Sequence, residues 1–595
     1  MIASRVVFQS CVTLGALLIL AQVPAGQGTA VPPLSFDRYH GYEETANLLR
    51  AWAAAHPTLA RVYSIGRDFK GYETWLIEIT NQRLGQAAGK PAFWADGNID
   101  ADEPSSTEVI LSLAERLLSR YGTDAEITRL VDTTTFYLVP ISNPYMADLY
   151  VSTPMTGIVS SINARPRDDD GDGRLDEDPP DDVNGDGQIL QMRVRDPRGT
   201  FRVHPTDPRL MMRARADETG GWTVHTEGLD NDGDGQFNED WIGGVDLNRN
   251  FPFDWQPEWI QEGSGRYPLS EPESRNIVEF IVGHPNIGFV VNGHSGPDDG
   301  LLYRPYGSRP DSAIPRQDFL TMATFGEKFA SLSGGLRTLP PYGAEAERRF
   351  GPGRQVYGRG FMLEWAYEMA GAFSFVAEHG IIPGDADRDG RVTDEELIRV
   401  SDAEFGGRLF VDWKPFRHPT LGDVEIGGFV KFTKPNPPPG RHLERLVEIY
   451  RAMYEYWAAT LPRVAVAVDP PRPSPPGHHV VRAVIENEGL LPTNVTQKAI
   501  ENGYADAVVA SIDTSPNVEI VAGDVRVKVG HLQGRAFQHR RALSSGLAVG
   551  EQASQALSWV VRLRDTQPGW VEVTARSAKA GVARQRVSVG AAPGR

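Results

Sequence analysis

A chain of 595 residues is longer than one hydrophobic core supports, so at least two domains are expected. Its 40% apolar content fits a soluble globular protein. The formal net charge of -18 argues against a nucleic-acid partner, because phosphate binding needs a basic face.

Arg5 followed by an apolar core over residues 12–21 and by small residues near Ala25 and Ala30 reads as an export signal over residues 1–30. That core is too short to span a bilayer. A secreted or periplasmic protein without a membrane span is therefore expected. The single cysteine, Cys11, lies inside the signal, which leaves no disulfide and no thiol. Any metal must be held by His, Asp and Glu.

Next, residues 42–55 place Leu48, Leu49 and Trp52 at helical spacing. Residues 61–65 and 74–80 read as a hairpin joined through Phe69, Lys70 and Gly71. A strand at 91–94, a helix at 105–121 and a strand at 135–140 complete an α/β opening. Residues 168–240 turn polar and aspartate-rich, and a helix and strand return over 273–293. A long amphipathic helix carries Leu443, Leu446, Val447, Tyr450, Tyr454 and Trp457 on one face. The Pro-rich stretch 469–477 reads as a stiff linker. Alternating runs at 480–485, 525–529, 557–563 and 571–575 then predict an all-β sandwich. The expected layout is a signal over 1–30, an α/β mixed-sheet domain over 35–463, a linker over 464–478 and a β-sandwich accessory domain over 479–595.

Four separated segments carry chemistry. Residues 97–103 form a polar loop after a strand, whose end can present two carboxylates to a metal; such acids also serve as helix caps. Asp246 to Asn250 contains Asn248-Arg249, suited to gripping a carboxylate by forked hydrogen bonds, although such pairs also occur on plain surfaces. His294 ends an apolar strand, where a histidine is often only a hydrogen-bonded structural residue. Glu378 closes another apolar strand, and a carboxylate there needs a salt bridge, a metal or a catalytic task.

In this order the segments resemble the zinc carboxypeptidase family over residues 39–461. Asn143-Pro144, the run Ser270-Glu271-Pro272-Glu273 and Trp365-Ala366-Tyr367, with Glu378 thirteen residues after Trp365, match its pattern. Residues 410–416 and 422–428 look like a bacterial exported branch. The resemblance implies one zinc ion bound by Asp100, Glu103 and His294, with Glu378 as general base. It implies Asn248 and Arg249 on the substrate's terminal carboxylate, Tyr357 closing over it and Leu363 near the side-chain pocket. Arg193 best matches the arginine that stabilises the oxyanion, with Arg195 as the near alternative. The implied partners are peptide or protein C-termini.

The family begins its metal motif with His-x-x-Glu, and here the first position is Asp100. Asp102 likewise stands where relatives often carry a substrate-binding arginine, which predicts a more acidic entrance. An exported metallocarboxypeptidase is the leading expectation, and a catalytically silent peptide-binding protein is the alternative. Separately, Asp385, Asp387, Asp389, Arg391 and Glu396 fit the spacing of a structural calcium loop. The runs Asp168-Asp170-Asp172, Asp182-Asn184-Asp186 and Asp230-Asp232-Asp234 share only the first half of that spacing.

Overall fold

The computed structural model describes residues 34–153, 161–168, 173–233, 235–238, 242–296, 301–305, 314–341, 358–380, 382–387, 391–434, 436–474, 477–535 and 553–590. The export signal, Tyr357 and Asp389 lie outside them. Among the described residues no helix is long and apolar enough to cross a membrane.

The first domain is built on eight strands: β1 (Ala60–Arg67), β2 (Glu73–Ile79), β3 (Ala92–Asp96), β4 (Thr135–Val139), β9 (Ile287–His294), β10 (Leu301–Arg304), β11 (Arg337–Pro341) and β12 (Phe373–Glu378). They lie in the order β1-β2-β4-β3-β9-β12-β10-β11. Its centre, β4-β3-β9-β12, is parallel. Central parallel strands are covered on both faces, which explains their continuous apolar runs. Phe93, Ala95, Phe289, Val291 and Phe375 face one core with the helices Ser105–Ser119 and Arg441–Thr460. Trp94, Tyr137, Val139 and Val290 face the other, with the helices Pro272–Gly283 and Met362–Met369. The Phe375 and Trp457 rings stack at 5.0 Å, so the long helix predicted from periodicity is pinned to the centre of the sheet.

The aspartate-rich stretch holds more order than its composition suggests. It supplies β5 (Gln191–Arg195), β6 (Phe201–Val203), β7 (Met211–Arg213) and β8 (Trp222–Thr226). With β13 (Phe410–His418) and β14 (Gly422–Phe429) they form a second sheet, ordered β13-β14-β5-β8-β6-β7. These strands were hidden because a sheet assembled from distant segments needs only short runs in each.

The C-terminal region is a two-sheet sandwich. One sheet contains β15 (Val464–Val468), β16 (Arg472–Pro473), β17 (His478–Asn487), β19 (Val518–Ala522) and β21 (Ser554–Leu563). The other is β20-β18-β22-β23, from β18 (Val508–Thr514), β20 (Arg526–Gly530), β22 (Gly569–Ser577) and β23 (Gly581–Val589). Val481, Ile485, Ile512, Trp559, Val561 and Val573 fill the space between them. This corrects the expected linker: Val464 to Val468 pair antiparallel with Asn487 to Ala483, so the Pro-rich segment joins two strands of one sheet. Proline is tolerated there because edge and connecting positions need no ladder donor.

The sandwich docks on the first domain at the amino ends of β9 and β12. Buried Lys579 donates to the carbonyls of Ile287 and Ala370, both at 2.7 Å, and burial pulls its ammonium down to about 7. An added Cβ on Gly371 would meet the Ala499 Cβ at 2.7 Å, so that approach requires glycine.

Candidate metal centre

The site lies at the carboxyl ends of three neighbouring parallel strands. The loop after β3 brings Asp100 and Glu103, β9 ends on His294, and β12 ends on Glu378 in register with His294. In such sheets the loops diverge at the carboxyl ends and leave a crevice where side chains from several strands converge. His294 Nδ1 lies 2.9 Å from Glu103 Oε2 and 3.2 Å from Asp100 Oδ2. One ligand atom from each of the three lies within 4.8 Å of the others.

Two observations test whether a cation fits. Asp100 Oδ1 is buried and has no hydrogen-bond partner, a cost that a cation would remove. Burial alone would depress the His294 imidazole, yet the Glu103 and Asp100 charges hold its proton affinity well above the usual value. The same pair of charges draws a cation to Nδ1. Burial pushes the Glu103 carboxyl well up; His294 opposes the shift, and Asp100 and Glu378 add to it. Neutral imidazole nitrogen with two carboxylates is an accepted zinc donor set, so these residues fit the ion.

Behind His294 runs a relay of buried polar groups. The Asn292 Oδ1 acceptor lies 2.7 Å from His294 Nε2, and Asn292 Nδ2 donates to Asp96 Oδ1 at 2.5 Å. Trp94 Nε1 donates to the other Asp96 oxygen at 2.5 Å, and burial lifts that carboxyl to about 6. An acceptor on Nε2 fixes the ring proton there and turns the Nδ1 lone pair toward Asp100 and Glu103. Asn292→Ala is therefore expected to weaken metal affinity about 10–100-fold, measured by competition with a chromophoric chelator. An unchanged affinity would show that the relay does not orient the ligand. Sequence reading assigned no role to Asp96 and Asn292. Their signal was a polar residue inside an apolar strand run, in β3 and β9.

Glu378 is set by backbone geometry. An added Cβ on Gly296 would stand 1.8 Å from Glu378 Oε2, so only glycine lets the carboxylate lie over that turn. Tyr450 Oη, from the long C-terminal helix, donates to the Glu378 carbonyl. Tyr454 Oη lies 3.0 Å from the Nε2 of His379, whose imidazole is pushed down to about 3 by burial. His379 is thus a neutral packing group behind the site.

Asn248 and Arg249 follow Asp246, whose carboxyl burial lifts to about 6, with Arg249 opposing and Asp100 adding to the shift. Arg249 stacks at 4.5 Å over the Phe361 ring and lies 3.5 Å from Asp246 Oδ2. Gly358 and Gly360 pass so close to Arg249 that an added Cβ would meet its Nε at 2.6 Å and its carbonyl oxygen at 2.3 Å. Asn248 is placed differently from the expectation. Its Oδ1 accepts from the Met362 N–H at 3.0 Å, so its amide braces the Met362–Met369 helix beside His294. Leu363 is buried with Phe361 and Val376.

Arg193 requires correction as an oxyanion group. It sits on β5 in the second sheet, donating to Glu425 Oε2 at 2.6 Å, and its guanidinium lies between the Trp222 and Trp413 rings at 4.8 and 4.4 Å. Arg195, two residues further along β5, also stacks over the Trp222 ring, at 4.0 Å. Motif spacing placed them near the site, whereas strand pairing carries them into the inserted sheet. Asp102 is 4% exposed and so does not make an acidic entrance.

The calcium expectation also changes. Asp385, Asp387 and Glu396 do come together, but both Glu396 oxygens are used. Oε1 accepts from Ala386 N–H, and Oε2 accepts from the Thr393 N–H and hydroxyl in a capping box on the helix Asp394–Phe405. That cap accounts for Glu396 without an ion. Arg391 lies just before the capping Thr393. Asp182 and Asn184 similarly accept from backbone N–H groups of residues 185–187 as turn-forming side chains.

The zinc carboxypeptidase profile matches residues 45–145 and 197–381. The chain belongs to the zinc carboxypeptidase family. Both matched segments contribute to the site, the first with Asp100 and Glu103 and the second with Asn248, Arg249, His294 and Glu378; Arg193 and Arg195 fall in the gap between them. Among relatives of this carboxypeptidase-family chain, carboxypeptidase D of Anas platyrhynchos is 35% identical over 115 residues, 19% of this chain and 8% of that protein. Carboxypeptidase A2 of Rattus norvegicus is 24% identical over 359 residues, 58% of this chain and 63% of that protein. The chain thus spans less than two thirds of each relative's length. The crystal structure of carboxypeptidase A from Helicoverpa armigera aligns with a TM-score of 0.38 and 18% identity, over 60% of this chain and 68% of that one. Residues 472–588 match a domain of unknown function, DUF8731.

Proposed function

We propose that the chain is an exported metallocarboxypeptidase that hydrolyses the terminal peptide bond at free C-termini. The observation that carries this is the convergence of Asp100, Glu103 and His294 Nδ1 beside Glu378, on strands held in register. A zinc ion bound there would supply a Lewis acid and bring the pKa of water from about 15.7 toward about 7. Glu378 takes the proton of the attacking water and returns it to the leaving amine. Arg249 pairs with the terminal carboxylate, with Gly358 close against its guanidinium and Gly360 against its backbone. Burial of Asp96, Asn292 and His294 keeps water from competing for the relay behind the ligand.

A second reading, a silent peptide-binding protein, is favoured by one observation: Asp100 stands where the family uses histidine, which puts two anions on the cation. One experiment separates the readings. Blocked dipeptides with free carboxyl ends should release amino acid, and their amidated counterparts should not. A chelator should abolish the release. Equal cleavage of both forms would end the carboxypeptidase reading, and binding without turnover would favour the silent one.

A further inference from the structure

The outer face of the four-stranded sheet in the sandwich carries a cleft of about 800 Å³, outside everything the proposed peptidase site uses. Val508, Ala510 and Ile512 of β18 point into the sandwich core, so Val509 and Ser511 alternate outward. Register then sets Lys528 and Arg576 on either side of Val509, and Arg526 and Thr574 on either side of Ser511. The result is a trough along β18 with a floor of small side chains between cationic walls. Arg584 continues the face beside Thr574 on β23.

Arg526, Lys528, Arg576 and Arg584 are exposed, and among the described residues no carboxylate forms an ion pair with them. The one acid lining the cleft is Asp506. Further along, Arg586 pairs with Glu572 and covers the Trp570 ring. On a chain of net charge -18, four exposed cations stand together on one sheet face, with Asp506 in the cleft lining and Asp513 two residues beyond Ser511 on β18, and an anionic ligand would relieve the repulsion among them.

We propose that this cleft is an anchoring site for a linear anionic polysaccharide bearing sulfate or carboxylate groups. Its lining has no aromatic ring, the platform on which nucleic-acid bases stack. The floor of the cleft lies on the inner strands β18 and β22, which offer none of the free backbone groups that an extended peptide uses when it adds to a sheet edge. What remains is side-chain charge and the Ser511 and Ser577 hydroxyls, matching a polymer that carries its anions and hydroxyls on its outside. The location fits an anchor. The cleft adjoins Lys579, which docks at the amino ends of β9 and β12, whereas His294 and Glu378 stand at their carboxyl ends. A strand of this length separates the two ends by roughly 20 Å, so a bound polymer leaves the peptidase crevice open.

The test uses the full chain, with heparin and polygalacturonate as sulfated and carboxylated probes and dextran and polyglutamate as controls. Calorimetry at low and high salt should show binding to at least one anionic glycan that weakens as salt rises, and no binding to dextran. The combined variant Arg526→Ser, Lys528→Ser, Arg576→Ser should lose about tenfold or more in affinity with an unchanged melting temperature. No binding of either glycan, equal binding by the variant, or polyglutamate binding as tight as the glycans would overturn the proposal.

Discussion

Glu378→Gln is expected to lower kcat by about 10²–10⁴-fold, while metal content stays stoichiometric. The amide keeps the size of the carboxylate and the clearance over Gly296, so the crevice geometry is preserved. What is lost is the capacity to hold a proton between attack and departure of the amine. Glu378 also adds to the electrostatic load on buried Glu103, and removing its charge relieves a like-charge contact. The variant should therefore melt at the same temperature or higher as it loses activity. Activity, metal analysis and a thermal scan on one preparation decide the matter. A Gln variant that retains full kcat would place the base elsewhere.

Asp100→Ala is expected to cost metal affinity more than the about 10–100-fold that follows loss of an outer partner, with hydrolysis falling in parallel. Only Glu103 and His294 Nδ1 would remain of the three converging donors. Asp100→His is the informative companion. It replaces an anionic oxygen with a neutral nitrogen, leaves less negative charge around the cation, and lowers the pKa of the attacking water. For an active native enzyme, the rising limb of its pH profile should move to lower pH in the His variant. For a silent native protein, the His variant should gain metal. Native protein that keeps full metal affinity after Asp100→Ala would remove Asp100 from the ligand set and undo both readings.

The elements carrying the site were legible because their periodicity is local. The hairpin, the strand before Asp100, the helix from Ser105 and the strand ending at His294 all lie close to their predicted positions. Each follows from alternation or helical spacing within a dozen residues. The roles of Asp96 and Asn292 were not legible, since a polar residue in an apolar run shows only that a partner exists. Identifying the partner requires the β3 and β9 register, which brings Asp96 opposite Asn292.

Arg193 shows the opposite failure. Its neighbours in the sequence resemble a family motif, but β5 pairs with β8 and β14, and that pairing takes the guanidinium to Glu425 and two tryptophans. Asp102 is buried where a motif-based reading put it at an entrance, and the Pro-rich segment lies within a sheet. In each case the deciding contacts span tens to hundreds of residues, and no local pattern encodes them.

The sequence by itself determined the family, the α/β core, the β-rich C-terminal region and the order of Asp100, Glu103, His294 and Glu378, because backbone periodicity and motif order are properties of neighbouring residues. Only the tertiary structure decided that His294 presents Nδ1, that Asn248 braces the Met362–Met369 helix, and that scattered Arg and Lys residues line one cleft on an acidic chain. Those outcomes depend on which strands lie side by side and in what register, because hydrogen bonds and charge pairs act over a few ångströms in space however far apart the residues are in sequence.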